Sequence, residues 1–217
     1  MEQFDRLRTW VFDLDNTLYP PHMRLFDQIE AKMTRYVMRA AGVNAAEADH
    51  LRQLYWMEHG TTLAGLMKNH GIDPDAYMEE VHDISFDVLE ADPYLAQQIA
   101  KLPGRRIVYT NGSAPYAAKV LEARGLAAAF DAIYGVESAA YVPKPQAQSY
   151  DRIFDLAGVA PDTAVMFEDD PRNLAVPHER GMVTVHVAPE PAPAPHIHHH
   201  TSDLSDFLGR VLTRLGL

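Results

Sequence analysis

Four short apolar runs, each cut off by polar or turn-forming residues, constrain this chain more than any other feature. Trp10-Val11-Phe12 stops at Asp13-Leu14-Asp15-Asn16, and Ile107-Val108-Tyr109 stops at Thr110-Asn111-Gly112-Ser113. Ala164-Val165-Met166-Phe167 stops at Glu168-Asp169-Asp170-Pro171, and Val183 to Val187 runs into a proline-rich stretch. Such runs, rich in β-branched and aromatic residues and bounded by turn formers, read as buried strands. Residues 132–135 are a weaker candidate. Helical patterns lie between them: one capped by Ser113 and ending near Gly125, one over 149–156, and one over 203–215. Strands alternating with helices predict an α/β fold, a Rossmann-like parallel sheet covered on both faces.

Residues 22–103 break that rhythm. No strand pattern occurs there. Leu25, Ile29, Met33, Tyr36 and Val37 follow helical spacing, and further helices are expected near 45–59, 61–70, 74–84 and 92–102. Gly42, Gly60, Gly71 and Pro103-Gly104 punctuate them. The layout predicts an all-helical cap domain, 22–103, inserted into an α/β core made of 1–21 and 104–217. Residues 188–200, APEPAPAPHIHHH, read as an extended linker with His196, His198, His199 and His200 in solvent.

Charge and composition narrow the function. The net charge of −11 argues against a nucleic acid polymer or an anionic membrane as partner. Cysteine is absent, which excludes disulfides, thiolate metal sites and a Cys nucleophile. No apolar run approaches the ~20 residues of a spanning helix, and the first ten residues lack the apolar segment of a secretion signal. A cytoplasmic protein is expected. The sequence carries no signal for its oligomeric state.

Open parallel sheets bind ligands outside the carboxyl ends of their strands. Asp13, Asp15, Glu168 and Asp169 all fall at such ends, and four converging carboxylates repel one another unless a cation joins them. Hard oxygen donors without thiolates suit Mg²⁺. Thr110, Asn111 and Gly112 offer a hydroxyl, an amide and a backbone N–H at a helix start, a combination that suits a phosphate.

These segments resemble one family. FDLDNTLYP (12–20) is similar to the first motif, D-x-D-x-T/V, of the haloacid dehalogenase (HAD) superfamily. TNG (110–112) is similar to its second motif, Lys144 in VPKP to its third, and FEDDPRN (167–173) to its fourth. The order is the superfamily's, and the helical insert lies where its type 1 caps lie. LDNTLYPP and DPRN resemble, more narrowly, the pyrimidine 5′-nucleotidase branch.

The resemblance implies a Mg²⁺-dependent phosphomonoesterase that works through an aspartyl-phosphate. Asp13 would be the nucleophile and Asp15 the acid and then the base. Thr110, Asn111, Gly112 and Lys144 would hold the phosphate. Asp13, the backbone carbonyl of Asp15, and Asp169 would hold the metal. Glu168 would reach it through water, Thr17 would support the turn, and Asp170 would cap the turn before Pro171. The dehalogenase branch lacks the second acid of the first motif, so Asp15 argues for a phosphatase. The expected substrate is a small phosphorylated metabolite, first a nucleoside 5′-monophosphate with a pyrimidine base. Sugar or glycolate phosphates are the alternative, and a phosphomutase would share the nucleophile. A non-catalytic phospholigand-binding protein is the reading of another class; intact Asp13, Asp15, Lys144 and Asp169 argue against it. Specificity would fall to the insert, where Phe26, Tyr36, Tyr55 and Trp56 could meet a base.

Overall fold

The computed structural model describes residues 1–217. Six strands form one sheet: β1 (Thr9–Phe12), β2 (Arg105–Tyr109), β3 (Ala132–Tyr134), β4 (Ala164–Glu168), β5 (Val183–Val187) and β6 (His199–Thr201). Their order is β3-β2-β1-β4-β5-β6, and every neighbouring pair is parallel. The parallel α/β core read from the sequence is therefore present. β1 lies inside the sheet, with Phe12 level with Val108 of β2 and Phe167 of β4. From β1 the chain winds outward through β2 and β3, then crosses back to start again at β4. That reversal places a topological switch point beside β1, where such sheets form a crevice.

Strand alternation divides the core. Trp10, Phe12, Val108, Val165 and Phe167 face one layer, with α5 (Pro93–Lys101), α6 (Ala114–Ala123) and α9 (Leu204–Leu215). Val11, Ile107, Met166 and Tyr109 face the other, with Tyr150, Ile153 and Phe154 of α7 (Ala147–Ala157). Phe12 stacks on Phe167 with centroids 4.5 Å apart, and truncating either would cost about 3–5 kcal/mol. Trp10 of β1 is fully buried and donates Nε1–H to Pro103 O at 2.7 Å.

The stretch between β1 and β2 contains helices and turns but no strand. α1 (Leu25–Ala41), α2 (Ala45–His59), α3 (Thr62–His70) and α4 (Pro74–Val81) pack on one another. Their starts have local causes. Asn44 and Glu47 form a reciprocal capping box before α2, Thr61 caps α3, and Asp73 caps α4 with Pro74 in its first turn. Leu25, Ile29, Val37 and Tyr77 continue the same apolar core that covers the sheet. α4 stops at Val81, short of the expected residue 84, because the chain tightens and Ile84 N–H bonds back to His82 O. α5 packs against α9 and the 127–129 turn.

The expected linker 188–200 is corrected at its end. His199 and His200 belong to β6, which pairs with β5 and extends the sheet. Three residues are too short for an alternation pattern to reveal. The histidines are tied down, not free in solvent. The His196 ring bonds Pro171 O, the His200 ring bonds Ala188 O, and His198 Nδ1 bonds Thr184. No helix is long and apolar enough to cross a membrane.

Candidate active site

The site forms where β1, β2 and β4 end side by side. Asp13 follows β1 directly, and its N–H bonds Phe167 O at 2.9 Å, which continues the ladder by one residue. Asn16 then takes a left-handed conformation (φ 60°), which its short polar side chain tolerates. A turn closes as Leu18 N–H bonds Leu14 O. Thr17 supports that turn as expected, donating its hydroxyl to Asp13 Oδ2 at 3.2 Å. Asn16 donates its amide to Asp169 Oδ2 at 3.2 Å, linking the end of β1 to the end of β4.

Lys144 enters from below. Its ammonium has three donors and three acceptors: Asp13 Oδ1 at 2.7 Å, Glu168 Oε1 at 2.8 Å and Tyr109 O at 3.1 Å. The side chain is only 1% exposed. Burial opposes its charge, yet Asp13 and Glu168 outweigh burial and hold the ammonium above its ordinary value. Lys144 thus sits beneath the nucleophile candidate.

Asn111 and Gly112 make hydrogen bonds within the protein. Asn111 Oδ1 accepts the Lys144 N–H at 2.8 Å, and its Nδ2 donates to Lys144 O at 3.2 Å. The amide expected at the phosphate is a two-sided brace for the Lys144 loop. Gly112 N–H, also expected there, donates to Thr110 Oγ1 at 2.9 Å. The Thr-Asn-Gly turn is tight enough to bond to itself. Thr110, Asn111 and Gly112 nonetheless all line the cavity described below.

Glu168 is fully buried. Oε1 accepts from Lys144 and from Asn173 Nδ2 at 2.6 Å, while Oε2 accepts the N–H groups of Asp169 and Asp170. One carboxylate therefore shapes the whole turn after β4. Asp170 caps the following turn through Arg172 N–H at 3.0 Å, as expected.

The acids are crowded. Carboxylate oxygens of Asp13, Glu168 and Asp169 all lie within 4.8 Å of one another. Burial and then the charge of Glu168 push Asp13 up to about 8 despite Lys144. Burial, then Glu168 and Asp13, push Asp169 well above the carboxylate range. One lysine does not balance three acids, of which Asp13 and Glu168 are buried and Asp169 is half-buried. A hard divalent cation would supply the missing charge and prefers such oxygen donors, so this donor set could hold one.

Asp15 stands apart from that cluster. Tyr19 and Tyr116 each donate a hydroxyl to its Oδ1, both at 2.6 Å. Burial raises its pKa, against these two hydrogen bonds. Neither tyrosine is placed at the site by the sequence alone. The four-residue spacing from Asp15 to Tyr19 was a usable signal, whereas Tyr116 comes from a distant segment.

Above these groups lies a cavity of about 700 Å³. Its floor includes Asp13, Asp15, Thr110, Glu168 and Asp169; its upper wall includes Phe26, Met33, Trp56, Leu63, Tyr77 and Met78. Of the four aromatic candidates, Phe26 and Trp56 line it. Tyr36 instead meets Tyr77 edge-on, and Tyr55 is buried with its hydroxyl on His70 at 2.8 Å. The Arg172 guanidinium sits 3.4 Å from the centre of the Trp56 ring and pairs with Asp170 at 2.6 Å. The helices also rest directly on the Lys144 loop. A Cβ on Gly60 (φ +91°) would lie 2.8 Å from Lys144 O.

Known proteins share this fold. A family model for haloacid dehalogenase-like hydrolases matches residues 7–176. Phosphate metabolism protein 8 of Saccharomyces cerevisiae is 26% identical over 136 residues, covering 58% of this chain and 42% of that protein. The match thus spans less than half of the yeast protein's length. Among solved structures, a HAD phosphatase from Thermococcus onnurineus superposes with a TM-score of 0.62 at 16% identity, covering 97% of this chain and 98% of its own. YfnB of Bacillus subtilis, described as a HAD-hydrolase bound to magnesium, gives 0.60 at 18% identity, covering 98% and 100%. L-2-haloacid dehalogenase from Xanthobacter autotrophicus gives 0.58 at 17%, covering 96% and 98%. At these identities the structures share the fold.

Proposed function

Because the chain belongs to the haloacid dehalogenase-like hydrolases, we propose that it is a Mg²⁺-dependent phosphomonoesterase with Asp13 as nucleophile. The observation that carries this reading is the second acid. Asp15 lines the same cavity as Asp13 and is oriented by two tyrosines. A dehalogenase reading draws on the Xanthobacter structure, but halide needs no proton to leave and would give Asp15 no work.

The steps follow from the side chains. Asp13 attacks phosphorus, and the bond to the leaving oxygen breaks as Asp15 gives that oxygen its proton. Water then attacks the aspartyl-phosphate, Asp15 takes a proton from it, and Asp13 is released. Lys144 holds the Asp13 carboxylate in place and offsets part of the negative charge brought in by the substrate. The Thr110 hydroxyl bonds the phosphoryl oxygens. Asp13, Asp169 and the backbone carbonyl of Asp15 would hold Mg²⁺, with Glu168 behind them. The ion would supply the charge neutralisation that lets a carboxylate meet a phosphate dianion.

We assign specificity to residues 22–103 acting as a cap, chiefly through α1–α4. The core groups see only phosphate, so the cavity wall must distinguish leaving groups. A volume near 700 Å³ with Trp56 and Phe26 in its wall favours a nucleoside over glycolate. A pyrimidine nucleoside 5′-monophosphate is our first choice, and small sugar phosphates are second. The enzyme would act on such a metabolite in the cytoplasm. A phosphate-release screen with Mg²⁺ tests the reading, comparing UMP and CMP with AMP, GMP, phosphoglycolate and sugar phosphates, with halide release from 2-chloropropionate as a control. We expect phosphate release and no halide. A pyrimidine advantage below about tenfold, or ~1.4 kcal/mol, removes the substrate choice, and halide release without phosphate release removes the phosphatase.

A further inference from the structure

We infer that Tyr19 and Tyr116 are positioning residues that clamp one oxygen of Asp15, so that the other oxygen delivers and recovers the proton. The inference rests on Asp15 acting as proposed above and goes on to assign which of its atoms acts. Both phenols donate to Oδ1, each at 2.6 Å. With two donors on Oδ1, the carboxyl proton belongs on Oδ2. When that proton leaves, Oδ1 keeps both bonds and nothing in the clamp has to rearrange. Such preorganisation lowers the barrier to proton transfer because the developing carboxylate is already solvated by fixed dipoles.

Three separate parts of the chain build this clamp. Tyr19 lies four residues beyond Asp15, directly after the turn closed by Leu18 N–H and Leu14 O at 2.9 Å. Tyr116 stands in the first turn of α6, and both tyrosines are at most 2% exposed. The imidazole of His82, just past α4, stacks on the Tyr116 ring with centroids 4.1 Å apart and planes within 8°. His82 Nδ1 is fixed in turn by Ser113 Oγ at 3.1 Å. On another side, a Cβ on Gly112 would lie 3.0 Å from Tyr116 Cδ1. The glycine of the Thr-Asn-Gly turn therefore leaves room for the phenol that holds the acid.

The proton path balances over both half-reactions. In the first, the proton moves from Oδ2 to the leaving oxygen as the phosphorus bond to that oxygen breaks and the bond to Asp13 forms. In the second, a water proton returns to Oδ2 as the water oxygen bonds phosphorus and Asp13 departs. Both phenols keep their protons throughout.

A purely structural role would make the same hydrogen bonds, so the test must depend on the leaving group. Tyr116→Phe and Tyr19→Phe keep the rings and remove one donor each. kcat/KM is measured for phenyl phosphate and for p-nitrophenyl phosphate, two esters of similar shape. The first needs a proton on its leaving oxygen; the second leaves readily as an anion. Each variant should lose about tenfold or more with phenyl phosphate, within the range general acid catalysis supplies, and no more than about threefold with p-nitrophenyl phosphate. Equal losses on both esters, or no loss, in folded variants would overturn the clamp. If one variant does not fold, the other reports on the same oxygen. Cleavage of neither ester by the unaltered protein would instead sink the phosphatase reading itself.

Discussion

Lys144→Met is the substitution whose cost the structure determines most sharply. The ammonium is the one cation bonded to both Asp13 and Glu168, at 2.7 and 2.8 Å, in a place almost closed to water. Methionine fills similar space, so little cavity forms and the loss is electrostatic. Removing one partner of a buried pair costs about 3–5 kcal/mol, because the other charge is left buried and unpaired. The expected loss lies within that range. Urea unfolding at pH 7, in EDTA, measures it directly. The sign of the pH effect is also set. Losing the lysine raises the folded-state pKa of Asp13 further above its value of about 8, and a carboxyl whose folded pKa is raised loses stability as pH rises above its unfolded value. The gap between variant and parent should therefore narrow as pH falls through about 8, where Asp13 of the parent takes up its proton. A loss under about 1 kcal/mol at pH 7, the level of an exposed ion pair, would refute the claim that Lys144 neutralises this cluster.

Gly60→Ala should destabilise by about 1–3 kcal/mol, since φ is +91° and the new Cβ would meet Lys144 O at 2.8 Å. It should also lower turnover by shifting the Lys144 loop, as paired unfolding and activity measurements would show. Chelation with EDTA should abolish phosphate release and Mg²⁺ should restore it, while Ca²⁺, with its looser oxygen shell, should inhibit. Full turnover in rigorously metal-free buffer would contradict the assignment of Asp13 and Asp169 as ligands.

Much of this was legible in the sequence, for a physical reason. Runs such as Trp10-Val11-Phe12 are buried on both faces, so their composition is distinctive. The polar residues that end them all emerge at one edge of a parallel sheet, so the sequence alone places Asp13, Asp15, Thr110 and Asp169 together. The capping residues Ser113 and Asp170 were legible because capping is local. Long-range choices were not. Nothing in the spacing of Tyr116 announces that its hydroxyl reaches Asp15, 101 residues away in sequence. The same holds for Arg172 over Trp56, which joins the turn after β4 to α2. Nor does the sequence announce that the Asn111 amide braces the Lys144 backbone, 33 residues away. Histidines in β6 were hidden because a three-residue edge strand carries no pattern of its own.

The central claim is that Asp13 itself becomes phosphorylated. Quenching the enzyme in acid during steady turnover of p-nitrophenyl phosphate, then mapping peptides by mass spectrometry, tests this most directly. A phosphoryl group should appear on Asp13, decay when substrate is exhausted, and be absent from Asp13→Asn, whose turnover should fall by at least ~10³-fold. A phosphoryl group on another residue, or near-normal turnover by folded Asp13→Asn, would contradict the account.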